Sequence, residues 1–183
     1  MAKERKFDMT GLQVFASGLK KIVDGHLAVQ IGVFGDKTSR RGKADKGLTN
    51  AEIGLIHELG SVSRKIPRRS FLVDTFAFHS DKMIAQLKPF SEKLFLKGKV
   101  DEYLKLVGEA GKNLVKEAFE TSGWGAWPQN SYRTIMAKLL GSRFKRQQMA
   151  AEVLFEGATH TKPLIRSGQL WQAIDSRTVR GNA

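Results

Sequence analysis

Cysteine is missing from all 183 residues of the chain. Its absence excludes a disulfide framework, a thiolate zinc site and a cysteine nucleophile, and it suits a reducing compartment. Long apolar runs are missing too. The longest stretches without a charged residue lie between Asp24 and Asp36 and between Glu120 and Arg133, far short of the roughly 20 residues that cross a bilayer. The opening MAKERKFDMTG is charged and carries no apolar run of the secretory kind, so a soluble cytoplasmic chain without membrane contact is expected. Acidic residues are scarce. Eighteen Asp and Glu stand against 31 Lys and Arg, a formal charge of +13, and such an excess attracts polyanions or an acidic protein at long range.

The usual sequence signatures of catalysis are also absent. His57 and Glu58 are neighbours on a helical pattern, where successive side chains point about 100° apart and cannot share a proton or a metal. A zincin site needs a second histidine four residues on, and Ser61 stands there. The four histidines, His26, His57, His79 and His160, have no ligand-like spacing. Ser17, Ser122 and Ser167 each precede a glycine, but none sits in a G-x-S-x-G elbow. Neither a phosphate-binding P-loop nor a G-x-G-x-x-G fingerprint occurs. The acids between Asp101 and Glu120 alternate with lysines, the pattern of a solvated helix face. No catalytic, cofactor-binding or metal-ligating residue is assigned, and the chain is not expected to be an enzyme.

What remains is a pattern of alternating elements. With no internal repeat, the chain reads as a single domain, 1–183, with a flexible basic N-terminus over 1–9 and a flexible basic loop over 36–48. GLQVFASGLKKIV predicts a helix over 11–23 with Leu12, Phe15, Leu19 and Ile22 or Val23 inward and Gly25 as terminator. HLAVQIGVFG alternates Leu27, Val29, Ile31 and Val33, as a strand does. Thr49 and Glu52 form a capping box ahead of NAEIGLIHELG, whose Ile53, Ile56 and Leu59 are expected inward, with Gly60 as the stop. SFLVDTFAFHSDKMIAQL is apolar at helical spacing, with His79 as a core or interface residue and Pro89 closing or kinking the helix. A second long helix is predicted from about Asp101 to Thr121. A short helix near SYRTIMAKLL, another capped by Ser167 with Trp171 in the core, and a final strand over 176–179 complete an α+β domain. Its small antiparallel or mixed sheet packs against two long helices and several short ones.

Three groups of residues stand out as candidate contacts. Lys37, Arg40, Arg41, Lys43 and Lys46 crowd the loop over 36–48, where they would meet DNA phosphates or a protein partner. Arg68 and Arg69 follow Pro67 at the start of an apolar helix, where positive charge is mildly unfavourable with the helix dipole. A carboxylate of this chain or of a neighbour is the expected compensation. Trp124, Trp127, Pro128, Tyr132 and Arg133 cluster in a glycine-containing loop, either as an exposed interface or folded back over the long helices as a local lid.

Four fragments, IHELG, IPRRSFLVDTF, WPQNSYRTIMAKLL and KPLIRSGQLWQAI, occur in this order. Together they resemble the tail-completion, head–tail connector (neck) and virion-morphogenesis proteins of tailed bacteriophages. The likeness spans about residues 28–180, through His57, Gly60, Pro67, Arg69, Phe71, Trp127, Pro128, Thr134, Ser167, Gly168 and Leu170. Arg69 stands where the family form has a second proline, and Leu59 where a phenylalanine is common. The resemblance implies a small non-catalytic virion subunit at the neck or top of the tail, present in the host cytoplasm during assembly. It also implies a symmetric homo-oligomeric ring, six-fold, joining a connector or head-completion protein to a tail terminator or tail tube protein. Contact with genomic DNA, as a non-specific DNA-binding accessory of assembly, is the alternative. The stretch over 57–72 then reads as a turn between two helices with its arginines toward an interface.

Overall fold

A computed structural model describes residues 10–34, 47–132, 134–135, 162–165 and 168–180. The elements in chain order are α1 (Thr10–Asp24), β1 (Leu27–Val33), α2 (Asn50–Leu59), α3 (Val73–Leu96), α4 (Val100–Glu120), α5 (Gln169–Ala173) and β2 (Ile174–Arg180). The fold is α+β, with β1 and β2 paired in a two-stranded antiparallel sheet. The chain divides into two units. One comprises Met1–Ile31, His79–Asn113 and Ser176–Ala183, the other Gly32–Phe78 and Leu114–Asp175.

In the first unit, Phe95, Val100 and Leu104 form a buried cluster, against which Ile22 of α1, Leu27 and Val29 of β1, and Tyr103 pack. The Phe95 ring lies 4.9 Å from Tyr103 and 5.4 Å from Phe15 in edge-on or tilted contact, geometries that aromatic quadrupoles favour. The inward stripe of α1 runs through Val14, Gly18 and Ile22, while Phe15 and Leu19 flank it and remain 37% and 43% exposed. Gly18 explains the shift: a Cβ there would lie 3.1 Å from both Phe95 and Val100, so the backbone itself approaches the cluster. The helix ends as expected around Gly25, but the left-handed residue is His26, at φ 44°.

Pro89 neither ends nor starts a helix. It lies inside α3, which continues seven residues beyond it to Leu96; the missing proline N–H leaves the Ala85 carbonyl without its usual helical donor. α3 instead stops in a Schellman motif. Gly98 is left-handed (φ 68°), its N–H reaches the Phe95 carbonyl at 2.9 Å, and the Lys99 N–H reaches the Leu94 carbonyl at 2.9 Å. His79 is half-buried.

In the second unit, the capping box is formed as the sequence predicts: Glu52 N–H donates to Thr49 Oγ1, and Thr49 N–H donates to Glu52 Oε2. The face that α2 buries is not the expected one. Asn50, Gly54 and Glu58, spaced four apart, point inward. Leu59 is 68% exposed and Leu55 59%, so the inward expectation for Leu59 is corrected. Gly54 sets the close approach, since a Cβ there would lie 3.3 Å from the Phe71 ring and 3.5 Å from Leu170 of α5. The same Phe71 ring belongs to an edge-to-face stack with Phe119 and Trp127, Phe119 lying 5.0 Å from Phe71 and 5.7 Å from Trp127. Helix α5 begins after Gly168, which occupies the cap position at φ 73° without a side-chain bond. The expected cap at Ser167 is thereby corrected; Ser167 itself lies outside the described residues. Trp171 is only half-buried, its ring under the Lys116 ammonium at 4.4 Å. Of the helix expected near SYRTIMAKLL, the described part is its start, where Ser131 Oγ accepts the Thr134 N–H.

Candidate functional site

The stretch between α2 and α3 is organised by Glu58. Its carboxylate accepts hydrogen bonds from the backbone N–H groups of Phe71 (2.9 Å), Leu72 (3.1 Å) and Val73 (2.9 Å), and from the Ser70 hydroxyl. Ser70 Oγ in turn accepts the Asp74 N–H at 2.9 Å. Every helix begins with amide groups that lack an intrahelical acceptor. Here a buried carboxylate on the preceding helix supplies one, and its negative charge suits the positive end of the α3 dipole.

Between the two helices the chain makes a tight hairpin. Ser61 and Ile66 exchange two backbone hydrogen bonds of 2.8 Å, and Lys65 takes a left-handed conformation (φ 51°). Gly60 is required at its entry: its φ is 75°, and a Cβ would lie 2.9 Å from the Arg68 backbone nitrogen. The Arg69 N–H then returns to the His57 carbonyl at 2.8 Å.

The two arginines separate into different roles. Arg68 makes the expected fork with a carboxylate of its own chain, Asp74, at 2.8 and 2.6 Å. That hydrogen bond raises the Arg68 guanidinium above its ordinary value. Arg69 is only 5% exposed and carries its guanidinium inward, Nε donating to the Pro128 carbonyl at 2.8 Å and Nη2 to that of Gln129 at 2.9 Å. Burial pushes its value down. The reading of Arg69 as turned toward an interface is corrected, because both bonds hold the tryptophan loop.

That loop begins in an uncommon conformation. Ser122, Gly123, Trp124 and Gly125 are all left-handed, at φ 55°, 65°, 51° and 81°. Such conformations cost L-residues roughly 1–2 kcal/mol each. The turn is supported by Gly123 N–H to the Ala118 carbonyl (2.7 Å), Trp124 N–H to Thr121 Oγ1 (3.0 Å) and Trp127 N–H to the Ser122 carbonyl (3.1 Å). Its effect is to reverse the chain and lay Trp127, 8% exposed, against Phe119. The Trp127 indole N–H donates to the Ser70 carbonyl at 3.2 Å, and Gly123 alone admits the ring, since a Cβ would fall 2.3 Å from Nε1. Trp127 is therefore the folded-back member of the aromatic cluster and not an outward anchor. Trp124 is half-buried, with its indole N–H on Glu117 at 3.3 Å, whereas Pro128 and Tyr132 are exposed.

Arg133 and the five basic loop residues Lys37, Arg40, Arg41, Lys43 and Lys46 lie outside the described residues. Among the described residues, no group of three or more His, Asp or Glu is placed to hold a metal ion, and no helix is long and apolar enough to cross a membrane. Sequence reasoning missed Glu58 as a cap, although an acidic residue 15 positions before the start of α3, across a glycine-bounded turn, is its visible trace. Arranged this way, Glu58, Ser70, Arg69 and Trp127 form a polar clasp that fixes three chain segments to one another. Compared with protein-family models, curated proteins and solved structures, the chain matches none.

Proposed function

We propose that this chain is a non-catalytic structural subunit of the neck or tail-completion type in a tailed-phage virion, joining head connector and tail through protein–protein contacts in a symmetric ring. The observation that supports this reading is the convergence of the resembling fragments. Arg69 comes from one fragment and Trp127 and Pro128 from another, yet they meet around one clasp through the Arg69 bonds to Pro128 and Gln129 and the Trp127 bond to Ser70, while the His57 carbonyl of a third fragment accepts the Arg69 N–H. Fragments recognised separately thus behave as parts of one device. Building such a device from buried polar groups fixes the geometry of the surface around it, as a subunit fitted between preformed parts needs. The partners are further copies of this chain, a connector or head-completion protein, and a tail terminator or tail tube protein.

Mass photometry and negative-stain imaging of the purified chain, alone and with connector or tail tube protein, test the reading. Rings or co-assemblies are expected, and monomers under every condition would overturn it. The net charge of +13 favours a second reading, non-specific contact with DNA. Its mark is duplex binding that weakens steeply with salt and whose slope flattens when Arg40 and Arg41 are neutralised, by about 0.9 for each phosphate that is no longer paired.

A further inference from the structure

We propose that the outward face of α2 is a docking groove for an apolar segment, flanked by acidic residues, of a different protein. A groove of about 400 Å³ runs along this helix, walled by Leu48, Leu55, Ile56 and Leu59, with Arg64 at its edge. Beside it, Val62 at the hairpin tip is 98% exposed. The apolar residues cannot turn inward, because the rotation of α2 is fixed from the opposite side. Glu58 is held by four donors at the start of α3, and Gly54 is seated against Phe71 and Leu170. Leu55 and Leu59 thus stay outward, at helical spacing, on a rigid support. That is the arrangement by which a groove takes up an amphipathic segment.

Charge selects the occupant. Arg64 and Lys65 are exposed, and neither side chain makes an ion pair among the described residues. The acid in the groove wall, Glu52, already has its Oε2 engaged by the Thr49 amide and hydroxyl at 2.7 and 2.9 Å. A carboxylate entering beside Leu59 would find a guanidinium able to receive it in a fork. A second copy of the chain would bring another net charge of +13 toward the same two cations, so an acidic partner is favoured over self-association at this face. The inference deepens the assembly reading and rests on it for the partner being a fellow particle component; the groove itself rests on its own geometry.

The test uses the full chain and a fluorescein-labelled amphipathic peptide with leucines three and four residues apart, flanked by glutamates, followed by fluorescence anisotropy. A matched peptide with lysine for glutamate is the control. The acidic peptide is expected to bind and the basic one not to. Leu59→Glu, Leu55→Glu and Arg64→Glu, all at exposed positions and checked for unchanged circular dichroism, are each expected to weaken binding about tenfold or more. No binding of the acidic peptide, equal binding of the basic one, or affinities unchanged in all three variants would overturn the proposal. Two further outcomes would also overturn it by assigning another occupant. One is a dimer abolished by Leu59→Glu in mass photometry. The other is a thiol-to-amine cross-link from Leu59→Cys, the sole cysteine of that variant, to residues 136–161 of the same chain. Failure of peptide binding leaves ring formation to be judged by imaging, and failure of ring formation leaves the peptide result standing.

Discussion

The guanidinium of Arg69 and the carbonyl of Pro128 are 2.8 Å apart although 59 residues separate them in sequence. This bond, with its neighbour to Gln129, ties the turn before α3 to the loop after α4. Removing the planar fork strands two carbonyl groups. Arg69→Lys, which keeps the charge but cannot span both acceptors, is expected to lower unfolding stability by about 1–3 kcal/mol in urea titrations. A variant within about 0.5 kcal/mol of the parent would show that the fork is not the clasp's main fastening.

Glu58 should be more sensitive still. Glu58→Ala leaves three backbone amides and a hydroxyl without their acceptor, at a cost of about 3 kcal/mol or more. Glu58→Gln retains shape and one acceptor atom and should fall between. Equal stability of Gln and Glu forms, measured by denaturant midpoint at constant slope, would mean that the second carboxylate oxygen contributes nothing.

Two glycines two residues apart offer an internal control. Gly123→Ala meets both a left-handed backbone and the Trp127 ring at 2.3 Å, whereas Gly125→Ala, also left-handed, meets nothing within 4 Å. The first should cost about 2–4 kcal/mol and shift the tryptophan emission to the red as Trp127 is displaced. The second should cost only about 1 kcal/mol with emission unchanged. Equal losses would indicate that backbone conformation alone governs both sites.

Acid should weaken the chain through two exposed carboxylates. The Thr49 amide, and then its hydroxyl, hold the Glu52 carboxyl below its ordinary value, and a hydrogen bond from Lys21 at 2.6 Å does the same for Asp101. A group whose folded value is lowered stabilises fully above its unfolded value, and that contribution is lost as pH falls through the folded one. Stability measured by circular dichroism should therefore decline below about pH 5, and Glu52→Gln combined with Asp101→Asn should make the decline shallower. An identical decline in the double variant would place acid sensitivity elsewhere.

Local signals in the sequence were reliable wherever a residue acts on its immediate neighbours. Thr49 and Glu52 cap α2 across a span of three residues, and the alternation from Leu27 to Val33 needs only the pleat of one strand. The reading failed where a side chain serves a distant element. Glu58 belongs by type on a solvated face, and only the amides of Phe71 to Val73 make it an inward residue. That assignment then rotates α2, so Leu59 emerges where hydrophobicity alone would bury it. Arg69 likewise has the composition of a surface residue until the Pro128 and Gln129 carbonyls are brought to it. Closure of α3 at Pro89, one of the two outcomes expected there, failed for a different reason: one missing donor in a helix of 24 residues is tolerated when the flanking turns are held by Leu87 and Phe95 in the core.

The span of each contact also orders the events by which the chain reaches its native state. Glu58 meets the amide of Phe71 only 13 residues away, so that loop closes with little loss of entropy. Arg69 must wait for a segment 59 residues distant, a closure less favourable by about 1.3 kcal/mol from chain length alone. Nucleation at the α2–α3 corner, followed by capture of the indole segment, is the resulting sequence. In pulse-labelling hydrogen exchange the backbone amides of residues 71–73 would gain protection before the Trp127 indole N–H, whose acceptor is the distant Ser70 carbonyl.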